Sequence, residues 1–147
     1  SNESYDRIIF SHSISHLDDV AAVLIECHRI LKINGCIEIV APHYSSDNFN
    51  TDPTHRFSLG YRSMNYFCEN IDFRYKYIDV KKHGFHLLET SLSFRENATS
   101  WRANTKFNPF SIVGIEALVN HVPRLYERFA TWVLPLSEVR FLLRKSH

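Results

Sequence analysis

The chain has 147 residues, 44% of them hydrophobic and 14% aromatic, enough for one domain with a real core. Charged residues make up 22% and the formal net charge is +1, which argues against a polybasic nucleic-acid binder and against an acidic solvating tail. No apolar run reaches the ~18 residues that span a bilayer, no basic-then-apolar leader opens these residues, and three widely spaced cysteines (Cys27, Cys36, Cys68) fit neither a disulfide framework nor a zinc ribbon, so a reducing cytoplasm is expected.

Tyr5 to Ser11 (YDRIIFS) is short and nearly all apolar after Arg7, the pattern of a strand buried on both faces of a parallel sheet. The polar stretch Ser11 to His16 breaks it. Asp18 can cap a helix, with Asp19 adding negative charge to the first turn. Val20, Ala21, Leu24, Cys27, Ile30 and Leu31 then recur at three- and four-residue steps, one apolar face of a helix. Gly35 stops that helix by taking the left-handed conformation. Cys36 to Ala41 (CIEIVA) follows as a second buried strand, ended by Pro42. Strand, helix and strand in this order form a crossover unit of a parallel sheet.

From His43 to Phe57 the chain is polar and without period, and a loop this long in a compact domain is usually functional. Ser58 can cap a short helix ending near Glu69. Tyr75 to Val80 reads as a strand or an extended arm, and Phe85 to Phe94 (FHLLETSLSF) as a strand. Asn97 to Pro109 is an irregular link and Ile112 to Val122 a helix. Pro123 suits the first position of a further helix, with Leu125, Tyr126, Phe129, Trp132 and Val133 on its apolar face and Pro135 at its end. Glu138 to Arg144 (EVRFLLR) closes the chain as a strand. Arg124, Arg128, Arg140, Arg144 and Lys145 make this part basic, a solvated face.

Only four glycines occur, Gly35, Gly60, Gly84 and Gly114, and no two are close. The chain therefore has no glycine-rich phosphate-binding turn. The ordered segments nevertheless resemble the second half of a class I S-adenosylmethionine-dependent methyltransferase. YDRIIFSHSISHL is similar to that family's fourth strand and following loop. ECHRILKINGCIEIVAP is similar to its next helix, turn and fifth strand, with Ile33 and Asn34 replacing the usual Pro-Gly and Gly35 kept. DPTHRFSLGYRSMNYF and PRLYERFATWVLPLSEVRFLLRK resemble a loop and the tail of one branch.

The resemblance implies an α/β fold: a partial Rossmann-like sheet, strands equivalent to 4-5-7-6, with flanking helices. Residues 1–147 are expected to form a single truncated methyltransferase-like domain, with 1–96 as a half-Rossmann core and 97–147 as a helical insertion plus the final strand. The family's first strand, with its glycine-rich turn, and the acid ending its second strand have no counterpart. The opening Ser-Asn-Glu-Ser also lacks an initiator methionine, so a fragment or a natural truncation is expected. In the family's order the fourth strand lies beside the first, so Tyr5 to Ser11 becomes an edge. That edge is expected to pair with a second copy or with a separate N-terminal segment.

By the same resemblance Ser11, His12 and His16 lie on the cofactor side. His55 or His43 is the candidate base for methyl transfer to a hydroxyl, and Asp52, Arg56 and Tyr44 face the acceptor, a small or saccharide-like molecule. S-adenosylmethionine is expected only in a complete enzyme. Tyr44, Phe49, Tyr61, Tyr66 and Phe67 either wall an acceptor pocket or, the commoner role for such residues, fill the core.

His12 and His16 are four apart, as zinc ligands on a helix face would be, but they lie on a loop with no third ligand apparent. His43, Asp47, Asp52 and His55 form a second conceivable set. No metal is expected, nor nucleic acid or membrane as partner. The alternatives from other classes are a non-enzymatic module that self-associates through its edge strand, and a small metal-dependent hydrolase built on the histidine-rich loops.

Overall fold

A computed structural model describes residues 3–95 and 114–146. Four strands form one sheet: β1 (Tyr5–Ser11), β2 (Leu31–Pro42), β3 (Phe85–Ser93) and β4 (Glu138–Lys145). Their spatial order is β1-β2-β4-β3. β1 and β2 run parallel, β4 is antiparallel to both β2 and β3, and α1 (Val20–Ile30) links the parallel pair. These are the places expected for strands 4, 5, 7 and 6, in an α/β partial Rossmann-like sheet.

β2 is the buried centre. Ile37, Ile39 and Ala41 are fully buried on it, against Leu24 of α1 and against Phe141 and Leu143 of β4. Burying an isoleucine, leucine or phenylalanine side chain contributes roughly 1.5–3 kcal/mol. β1 differs from the expectation of burial on both faces. It is the sheet edge, and only Ile8 and Phe10 pack on the core, while Tyr5 and Ile9 remain 55% and 58% exposed.

The cap of α1 is Asp19, not Asp18: its carboxylate accepts from the Ala22 amide at 2.9 Å. The turn after α1 also differs from expectation. The helix ends at Ile30 and passes straight into β2, with Leu31 opposite Tyr5 and Cys36 opposite Arg7, so residues 32–35 bulge out. The left-handed residue there is Asn34, at φ 65°. Gly35 is required for a different reason: a Cβ on it would lie 2.9 Å from the Lys32 carbonyl oxygen and 3.2 Å from that of Asp6.

The long segment between β2 and β3 is ordered by short elements. Ser46 caps α2 (Asp47–Thr51), Ser63–Phe67 forms a 3-10 turn inside the span expected as a helix, and Asp79 caps α3 (Val80–His83). No strand forms over 75–80. Instead the Lys76 ammonium donates to the carbonyls of Asn65, Cys68 and Ile71 at 2.9, 2.5 and 2.8 Å, which holds the chain without a ladder.

α4 (Ile115–His121) lies within the expected helix, whose first residues, 112 and 113, fall outside the described ones, as does the link 97–109. Pro123 opens α5 (Pro123–Phe129), which ends well before Pro135. Of its expected apolar face only Tyr126 is buried; Leu125, Phe129, Trp132 and Val133 are exposed. Nor is the basic tail wholly solvated. Lys145 is buried, with its ammonium on the Leu31 carbonyl at 2.9 Å and the Glu3 carboxylate at 3.1 Å. No helix among the described residues is long and apolar enough to cross a membrane.

Candidate functional site

The carboxyl ends of the parallel strands β1 and β2 lie side by side, and the loops that leave them carry nearly all the residues singled out in the sequence. In open α/β sheets this is the edge where ligands bind. Three polar groups form there.

The first lies directly after β1. Ser11 pairs with Val40 at the end of the strand. His12 takes a left-handed conformation (φ 54°), and its amide donates to the Val40 carbonyl at 2.8 Å. Its Nε2 sits 3.1 Å from Oε1 of Glu138, a fully buried carboxylate that also accepts from Arg140 at 3.0 Å.

The second group is the buried anchor of the loop. His43 is fully buried; its Nδ1 meets Ser45 Oγ at 2.8 Å and its Nε2 meets Glu127 Oε1 at 3.1 Å. The same Glu127 oxygen accepts from the Tyr61 amide at 2.6 Å, and the Tyr44 hydroxyl donates to the Glu127 carbonyl at 3.1 Å. Burial pushes the Tyr44 phenol up. His43 and Tyr44 thus tie the end of β2 to α5 with their polar atoms engaged.

The third group joins the two loops. The Arg56 amide donates to the Ser15 carbonyl at 2.8 Å, and the Arg56 guanidinium pairs with Asp18 at 2.6 Å. This brings His55 onto His16, their rings stacked with centroids 4.5 Å apart, while Phe49 stacks on His55 at 5.2 Å. Asp52 accepts from the Thr54 amide at 2.9 Å and from the Thr54 hydroxyl at 2.6 Å, and these bonds hold its carboxyl below the usual range. One donor atom each from His16, Asp52 and His55 lies within 4.8 Å of the others.

Hydrogen bonding fixes both ring tautomers in this group. His16 Nδ1 faces the Thr54 carbonyl at 3.3 Å and the Thr54 hydroxyl oxygen at 3.0 Å. A carbonyl only accepts, and the Thr54 proton is directed to Asp52, so His16 Nδ1 is the donor. His55 Nδ1 likewise donates to the Phe49 carbonyl at 3.0 Å. In the neutral form of each ring this places the lone pair on Nε2.

The structure therefore divides the candidates. His16, Asp52 and His55 come together with Arg56 beside them, His12 stands apart on Glu138, and His43 and Tyr44 belong to the buried anchor. Among the aromatics, Phe67 is core, Tyr61 and Tyr66 pack against it, and Phe49 alone supports the histidine cluster. Thr54, Glu127 and Glu138 were not anticipated as participants. A Thr two residues after an Asp is a turn signal, but the carboxylates show their role only through burial. An open depression of about 450 Å³ lined by Arg95, Glu116, Ala117 and Asn120 shares no residue with these groups.

Residues 1–39 match a family model described as a methyltransferase domain. A SAM-dependent methyltransferase structure from Archaeoglobus fulgidus is similar at a TM-score of 0.55 and 18% identity, covering 98% of this chain and 61% of that one. The chain resembles class I S-adenosylmethionine-dependent methyltransferases. Weaker matches are a candidate sarcosine dimethylglycine methyltransferase from Galdieria sulphuraria (TM-score 0.46, 22% identity, 99% and 54% covered) and a candidate methyltransferase from Bacillus halodurans (0.48, 15%, 100% and 67%). The chain spans about six tenths of the length of the archaeal structure. No curated protein matches the sequence.

The residues present do not by themselves fit that family's cofactor. Gly35 lies in the β2 bulge, Gly60 in the loop beyond α2, Gly84 ahead of β3 and Gly114 ahead of α4. None follows β1 or β2 to open a helix over a phosphate or ribose. In the loop after β1 the His12 ring is already engaged by Glu138.

Proposed function

We propose that this chain is the acceptor-side half of an S-adenosylmethionine-dependent methyltransferase for a small or saccharide-like hydroxyl acceptor. On this reading it is inactive unless a glycine-rich cofactor segment is supplied. The observation that carries the reading is the convergence of His16, Asp52 and His55 at the carboxyl ends of two parallel strands. His55 is the base: its Nδ1–H is fixed on the Phe49 carbonyl and its ring on the Phe49 ring, so Nε2 is oriented to accept a hydroxyl proton. Asp52 and Arg56 present hydrogen-bonding groups to the acceptor's other hydroxyls. Ser11, His12 and His16 line the cofactor side.

The test is methyl transfer from labelled S-adenosylmethionine to a panel of hydroxyl acceptors, with the chain extended by the reading frame upstream of Ser1. Activity is expected only if that frame encodes a strand, a glycine-rich turn and a helix. His55→Ala should then lower kcat on the order of 10²–10⁴-fold. Micromolar binding of the cofactor by the 147 residues alone would sink the half-site reading.

The exposed edge favours a second reading, a non-enzymatic module that pairs through β1. Among the described residues, Tyr5 and Ile9 stand exposed on a strand with one side unpaired, a state that proteins seldom leave uncovered. The partner on this reading is a second copy of the chain or an N-terminal segment. Light scattering separates the two readings from an isolated monomer.

A further inference from the structure

We propose that His16, Asp52 and His55 bind one divalent first-row transition-metal ion, a site neither sequence spacing nor the methyltransferase resemblance indicates. The set crosses two loops: His16 follows β1, while Asp52 and His55 follow β2. It differs from both sets conceivable in the sequence, because His12 is held by Glu138 and His43 by Ser45 and Glu127.

Three observations carry it. First, one donor atom from each residue lies within 4.8 Å of the others. Ligands about 2.0–2.2 Å from an ion stand roughly 3–3.5 Å apart, so closure needs rotation of side chains that are not buried.

Second, both imidazoles carry the outer support that metal-bound histidines have. Each Nδ1 lies against an oxygen it can donate to, the Phe49 carbonyl for His55 and Thr54 for His16, which leaves each Nε2 without a bond of that kind. Third, the Thr54 hydroxyl bridges the set. It donates to Asp52 Oδ1 at 2.6 Å and accepts from His16 Nδ1 at 3.0 Å. Among the described residues, neither Nε2 nor Asp52 Oδ2 has a hydrogen-bond partner, so each side chain keeps a lone pair that a cation can take. The neighbouring guanidinium of Arg56 is directed to Asp18.

Two imidazoles and one carboxylate suit zinc, cobalt, nickel or ferrous iron rather than magnesium or calcium, which take oxygen ligands. Three protein ligands leave coordination positions open for water or an acceptor oxygen. An ion there occupies the lone pair that the base reading assigns to His55. In the loaded protein the proton would instead be lost from an oxygen on the ion, whose acidity the ion raises. The inference stands on the cluster's geometry and not on methyl transfer, so each can fail without the other.

The experiment is calorimetry of Zn²⁺ into untagged, chelator-stripped protein, with Co²⁺ absorption as a second readout. One ion per chain is expected, at micromolar Kd or tighter. His16→Ala, Asp52→Asn and His55→Ala should each weaken it at least tenfold. Thr54→Val, which touches no metal, should weaken it roughly 10–100-fold through the lost bridge. His86→Ala, at the separate contact with Glu69, should leave the affinity unchanged. Circular dichroism checks folding, and Asp52→Asn, isosteric on a surface loop, keeps the test valid if an alanine variant does not fold. Absence of saturable one-to-one binding, or binding that survives Asp52→Asn and His55→Ala unchanged, overturns the site.

Discussion

Two histidines of the same loop illustrate how burial assigns different work to one residue type. His43 has no exposed surface and bonds both Ser45 and Glu127, so His43→Ala leaves a hydroxyl and a carboxylate short of a partner inside the protein. It should cost about 2–4 kcal/mol in urea denaturation. His55, stacked at the surface, should cost less than about 1 kcal/mol when changed to Ala. Equal losses at the two sites would contradict this division.

The thiols separate in the same way. Burial pushes Cys27 up to about 11 and Cys68 up to about 12, from an ordinary 9.0. A folded value above the unfolded one favours the neutral thiol, so this stabilisation is whole below pH 9 and is lost as pH rises from there toward 11–12. The loss cannot exceed about 1.4 kcal/mol per pH unit per thiol. Urea midpoints should therefore fall between pH 8.5 and 10, and less so in Cys68→Ala, each variant compared with itself. A thiol reagent at pH 8 should label partly exposed Cys36 well before the other two.

At the scale of elements, what the sequence revealed depended on how local the governing forces are. Strand, helix and strand over 5–42 were legible because apolar period, cap and crossover all agree there. The strands Phe85–Ser93 and Glu138–Lys145 were legible by alternation. Residues 43–84 were not. Their order comes from single polar anchors, such as Lys76 among three carbonyls and His43 on Glu127, 84 positions away, which no window detects.

The apolar period of α5 was real but did not predict burial, since Leu125 and Phe129 stay in solvent. The histidine cluster was legible only as residue types; the pairing of His16 with His55 needed the fold. The bulge after α1 gives the sharpest element-level prediction. Gly35→Ala would push a methyl against two backbone oxygens that cannot step aside, the carbonyls of Lys32 and Asp6. It should cost about 1–3 kcal/mol. Asn34→Gly, at the left-handed position, should be neutral or slightly stabilising, because glycine meets no Cβ penalty there. If the two variants exchanged these effects in thermal unfolding, the bulge would be assigned wrongly.

For the whole molecule the decisive feature is a sheet with one finished flank and one open one. β3 is the far edge and receives the Glu69 amide on its Phe85 carbonyl and the Asn70 side chain on Leu87. Among the described residues β1 has only β2 beside it, and Ile9 is exposed on it. On the half-methyltransferase proposal, a strand carrying a glycine-rich turn would occupy this flank. A second copy pairing through β1 would satisfy the backbone but would supply no such turn. Self-association and cofactor binding are therefore opposed outcomes for this flank. Light scattering at tens of micromolar should show a dimer, and Ile9→Lys, which puts a charge on the exposed edge, should shift it to monomer while the urea midpoint changes by less than about 0.5 kcal/mol in stability. If a cofactor-bearing segment is added and takes the flank, the dimer should disappear as methyl transfer appears. A dimer indifferent to Ile9→Lys would place the contact elsewhere, on the exposed Leu125, Phe129 and Trp132, and would leave β1 free for an added strand.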